Sequence, residues 1–186
     1  MSGVTVDTPS DTSIVLVRDF DAPRRLVFAA LTRPELLGRW LGARGWQVVD
    51  CEIDLRVGGT WRVLSRGPGG AQMAHGGVYR EAAAPDRVVY TEAYDDQWFA
   101  GEALVTAELV ETGRRTTLTT TMQYGSREIR DAVLATPMRR GVAEGYDRLD
   151  AVLADLPPTV PAQQTERAHH AGHVHQTGKS PEEQAR

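Results

Sequence analysis

His75 stands in a His-Gly-Gly segment and is the one histidine outside the C-terminal stretch. An imidazole, with an ordinary pKa of about 6.5, suits proton transfer at neutral pH. No serine or acid stands at a sequence spacing that implies a partner, so a general base and a partly exposed edge histidine are both open readings. Glu52 and Asp54 lie two apart and share one face of a strand, where paired carboxylates push one pKa upward, although a wet strand face has the same spacing. Asp95 and Asp96, near Trp98 in a connecting loop, either gate a cavity mouth or solvate a turn. Arg56-Val57-Gly58-Gly59 runs into a strand rather than a helix, so it lacks the helix N-terminus that holds a phosphate and reads as a tight turn.

Cys51 alternates with Val49 and Ile53, the pattern of a small buried hydrophobe rather than a nucleophile. As the only cysteine it forms no intrachain disulfide and no cysteine-based zinc site. His169, His170, His173 and His175 surround Gly172 without fixed geometry, which points to adventitious metal binding. No metal and no cofactor is expected. No catalytic constellation assembles from these residues, so binding rather than catalysis is the expectation.

Rings are the chemistry the chain does offer. Trp61, Tyr79, Tyr90, Trp98, Tyr124 and Tyr146 can cover an apolar ligand with rigid faces while indole and phenol groups make hydrogen bonds. With His75, Met138 and Val142 they form the expected lining of a ligand cavity, methionine adapting to irregular shapes. Such a lining needs a curved sheet and something to lie across it.

The pattern supplies both. Ile14, Leu16 and Phe20 alternate along a first strand that Asp21-Ala22-Pro23 ends. Two short helices follow, one carrying Leu26, Val27, Ala30 and Leu31, the next opening at Thr32-Arg33-Pro34-Glu35, which matches a capping box. From Trp46 to Tyr124 strands are expected at 46–57, 60–66, 74–82, 87–94, 102–111 and 115–124, separated by glycine, proline and aspartate turns. Ser126 caps a last helix that Pro137 should kink. Beyond it Met138, Val142, Gly145, Leu149, Val152 and Leu156 recur at spacings of four and three, a stripe that must lie on the sheet.

The expected class is therefore α+β: a helix-grip fold with a seven-stranded curved antiparallel sheet wrapped around a long C-terminal helix, and two short helices after strand one. The domain spans 13–156, with a flexible N-terminus at 1–12 and a disordered tail at 157–186, where prolines, glutamines and histidines replace apolar residues. A net charge of -4 gives no field for phosphate backbones, so no nucleic-acid partner is expected. No run approaches the roughly 18 apolar residues that span a bilayer, and Met1 to Ser13 lacks a signal-peptide pattern, so a cytoplasmic location without membrane contact is expected.

Several segments together resemble a known family. They are Asp21-Ala22-Pro23 with Val27-Phe28, the Pro34 to Trp40 helix, Asp54 to Trp61, His75 to Glu81, Arg87-Val88-Val89, and Met138, Gly141, Gly145-Tyr146 and Leu149. Their order from about Ile14 to Leu156 resembles the START-like or Bet v 1-like (SRPBCC) superfamily, and within it the Hsp90 ATPase activator homologues. The resemblance implies a cup used for ligand binding, cyclisation, hydroxylation or chaperone regulation. A small apolar ligand is the leading expectation. The alternatives are a cyclase- or hydrolase-type enzyme using His75 or a cavity tyrosine, and an interaction protein with a homodimer or chaperone partner. A buried polar pair in the cavity favours the enzyme, an apolar cavity the binder, and a filled interior the interaction protein.

Overall fold

The computed structural model describes residues 3–96 and 101–157. Trp98, the tail histidines and nearly all of the 157–186 stretch lie outside the described residues. Within them the elements run β1 (Thr5–Asp7), β2 (Ser13–Phe20), α1 (Arg24–Thr32), α2 (Pro34–Trp40), β3 (Gln47–Ile53), β4 (Thr60–Arg66), β5 (Gln72–Ala83), β6 (Arg87–Tyr94), β7 (Ala103–Thr112), β8 (Arg115–Gln123), α3 (Arg127–Ala135) and α4 (Met138–Asp155).

All pairings are antiparallel, in the order β1-β2-β8-β7-β6-β5-β4-β3. The sheet has 8 strands rather than seven. The extra one corrects the expectation of a frayed start, because Val6 pairs with Leu16 and Thr5 with Val17 along the open edge of β2. Thr5 and Asp7 are exposed and contribute backbone pairing, while Val6 alone packs half-buried against the Ile14 and Leu16 cluster, too little apolar pattern for hydropathy to register.

Two helix signals resolve differently. Thr32 does not cap α2; its hydroxyl donates to the Phe28 carbonyl at 2.8 Å inside α1, and Arg33 takes the cap position without a side-chain bond. Pro34 at the first turn and Glu35 beside it start α2 instead. Ser126 does cap α3, accepting from the Ile129 amide at 3.3 Å. Pro137 breaks rather than kinks the last helix, closing α3 at Ala135 and standing as the N-cap of α4.

Helices α1, α2 and α4 cover the concave face of the sheet over a core containing Phe20, Val27, Trp40, Leu118, Leu149 and Val152. Polar ties hold α4 there. Arg18 of β2, buried at 2% exposure, bonds Asp147 at 3.0 Å and also Asp150. Arg148 donates to the Trp40 carbonyl at 2.9 Å and to that of Gly42, and Glu144 accepts from the Arg44 amide at 2.7 Å. The segment between α2 and β3 is thus clamped to the helix.

Candidate functional site

Beyond that core the gap between sheet and α4 is open. A cavity of about 570 Å³ lies there, with Trp61, Tyr79, Tyr90 and Met122 on its sheet side and Val142 and Tyr146 on α4. Leu41, Gly42, Ala43 and Trp46 of the clamped segment form part of its wall, and Thr136, Pro137 and Met138 border it at the break between α3 and α4. The helix break therefore sits at the cavity edge.

Strand periodicity explains which side chains arrive. On β6, Tyr90, Glu92 and Tyr94 are two apart and all face the cavity. On β5, His75 and Tyr79 lie opposite Tyr94 and Tyr90, so each pair shares a face. His75 stacks on Tyr94 with centroids 4.9 Å apart, and Trp61 meets the His75 and Tyr90 rings edge-on, each at 5.2 Å. Trp61 is locked because its indole N–H donates to the Thr91 carbonyl at 3.1 Å. That approach requires Gly77, where a Cβ would come within 1.8 Å of the same carbonyl oxygen.

Tyr146 meets Phe20 edge-on at 5.7 Å, and its hydroxyl lies 3.3 Å from that of Thr120. Burial pushes the phenol pKa of Tyr79, Tyr90, Tyr94, Tyr124 and Tyr146 above the ordinary 10.0. The nearby Glu92 charge adds to the rise at Tyr90, Tyr94 and Tyr124. These rings are neutral walls.

The residues named from sequence as ligand-lining, Trp61, His75, Tyr79, Tyr90, Tyr124, Met138, Val142 and Tyr146, all border this one cavity. Trp98, the ninth, lies outside the described residues. Glu92 was missed, and with it a partner for His75: Nδ1 lies 2.9 Å from Glu92 Oε1, with the two side chains 8% and 17% exposed. The tyrosine alternation on β6 was the available signal, because placing Tyr90 inward places Glu92 inward too.

The other candidates separate from the cavity. Asp95 makes a two-pronged ion pair with Arg62 at 3.0 and 2.5 Å on the exposed face, and neither Asp95 nor Asp96 lines the cavity. Glu52 and Asp54 are exposed, and Asp54 pairs with Arg56 at 2.8 Å. Gly58, at φ 79, makes the expected tight turn. Cys51 is half-buried against the core, and burial with nearby carboxylates pushes its thiol up to about 11. Val49 is exposed instead of sharing its face, because a bulge between Val48 and Asp50 shifts the register. No cluster of metal-ligating side chains occurs among the described residues.

Comparison with known proteins fits this architecture. Residues 21–154 match the family described as Activator of Hsp90 ATPase homolog 1-like protein. No curated protein matches the chain. A crystal structure from Rhodobacter sphaeroides is similar at a TM-score of 0.79 and 35% identity, covering 83% of this chain and 100% of that one. A solution structure from Arthrobacter aurescens is similar at 0.74 and 27% identity, covering 92% and 100%. The AHSA1 protein from Silicibacter pomeroyi, at 0.63 and 22% identity over 76% and 97%, shares the fold.

Proposed function

The chain belongs to the Activator of Hsp90 ATPase homolog 1-like family, and from that premise we propose that it binds a small apolar or amphipathic molecule between the sheet and α4. The observation that carries this reading is the cavity of about 570 Å³ with its aromatic lining. Ligand sites commonly enclose roughly 300–1,000 Å³, are mainly apolar, and hold a few convergent polar groups. The rings already brace one another, so a ligand would meet a preformed surface and little ordering would oppose binding. An open interior favours a binder over a protein that works through its exterior alone.

The buried His75–Glu92 pair favours, as a second reading, a cyclase- or hydrolase-type reaction in the same cavity. The net charge of -4 argues against a nucleic-acid partner. No described helix is long and apolar enough to cross a membrane. A cytoplasmic setting belongs to this proposal.

Native mass spectrometry on protein purified from its own cell should show a retained small molecule. Nile red should bind the emptied protein and brighten, and Val142→Trp, which fills the cavity from α4, should abolish that binding while circular dichroism stays native. Unchanged Nile red binding by a folded Val142→Trp protein would refute the proposal.

A further inference from the structure

The cavity walls are mainly apolar or aromatic, with Ser65, Thr120, Thr136 and Arg140 among them, and a histidine and a carboxylate are buried together on the sheet side. Leaving a buried charged group without function or compensation is costly, so the pair calls for an account. A carboxylate oxygen only accepts, so at 2.9 Å from Glu92 Oε1 the hydrogen sits on His75 Nδ1. In the neutral ring the other nitrogen, Nε2, is then an acceptor, on a side chain that borders the cavity. Stacking on Tyr94 and the edge contact with Trp61 fix the ring plane, so this acceptor is oriented in advance.

Building on the binding reading above, we propose that His75 and Glu92 form a subsite for a hydroxyl-bearing aromatic ligand, a phenol or an enolised ring, whose O–H donates to His75 Nε2. Trp61, edge-on to both the His75 and the Tyr90 rings at 5.2 Å, and Tyr90 itself supply aromatic surface in the same cavity for the ligand ring. Glu92 is the positioning residue: it holds the tautomer that leaves Nε2 able to accept. A ligand capped by an ether fills the same space but cannot donate, which leaves the acceptor unpaired in a dry site.

The test is the affinity of 4-cresol, which keeps its O–H at neutral pH, relative to 4-methylanisole, measured by calorimetry on the full chain with Nile red displacement as a check. The phenol should bind at least about tenfold more tightly, the ratio expected when one buried hydrogen bond is present or absent. His75→Phe should bring the two affinities together. Glu92→Leu, the second variant should the first fail to fold, should shrink the ratio severalfold by freeing the tautomer. Equal affinities in the native protein would overturn the subsite while leaving the apolar binding reading standing. A ratio unchanged by a folded His75→Phe would likewise overturn it. Failure of both probes to bind would overturn both.

Discussion

Replacing Leu149 with alanine tests how α4 divides packed core from open cavity. Leu149 is fully buried at 0% exposure, clustered with Phe20, Val27 and Trp40. Removing three carbons forfeits roughly 2.4 kcal/mol of transfer free energy at ~0.8 kcal/mol per methylene. If the surroundings hold still, a void of roughly 80 Å³ adds about 1.9 kcal/mol at ~24 cal/mol per Å³. The expected cost is therefore about 2.5–4.5 kcal/mol. Val142, two turns earlier on the same stripe, is half-buried and borders the cavity, so shortening it only enlarges an existing space. Val142→Ala should cost about 1 kcal/mol or less. Urea denaturation of both variants, with unchanged m-values, gives the comparison. A Leu149→Ala cost below about 1 kcal/mol, or equal costs at the two positions, would refute the placement of the helix over core at one end and cavity at the other.

The 5 tyrosines offer a titration, because burial raises every one of their pKa values. The unfolded chain ionises near 10.0 and the folded one only above it, so this stability is complete below that pH and is lost as pH rises beyond it. Phenolate absorbance should accordingly lag behind that of free tyrosine and then climb together with loss of native circular dichroism; a titration that follows free tyrosine in the folded protein would contradict the burial. Cys51, with its thiol pushed up to about 11, should react with an aromatic disulfide at pH 8 far more slowly than in the urea-unfolded chain, and equal rates would show it to be accessible. Arg148→Met removes the bonds to the Trp40 and Gly42 carbonyls that hold one cavity wall. It should weaken Nile red binding severalfold and lower stability by about 1–3 kcal/mol, the worth of a charged hydrogen bond, as read by fluorescence titration and urea melts.

Much of the architecture was written in local patterns. Alternating strands with turn residues between them marked the sheet from Gln47 to Gln123, and the spacing of Gly145, Leu149 and Val152 marked the buried side of α4, because hydrophobic period follows side-chain direction along a single element. Aromatic residues in those elements pointed to a cavity lining for the same reason. The Thr5–Asp7 strand escaped notice, since its place depends on the open edge of β2 rather than on its own residues.

The His75–Glu92 pair was decided by tertiary structure alone. Near the β5–β6 turn Ala83 faces Arg87 and Glu81 faces Val89; continuing that register would set His75 opposite Asp95 and turn Glu92 to the other face. A bulge between Tyr79 and Glu81 shifts the ladder by one residue, so that Tyr79 meets Tyr90, His75 meets Tyr94, and Glu92 comes round to the same side as the imidazole. Which residue a strand skips is settled by packing across the sheet, where Trp61 takes the Thr91 carbonyl and Gly77 makes room for that strand. Composition and period describe one strand at a time, whereas a pair of side chains on neighbouring strands exists only once their register does.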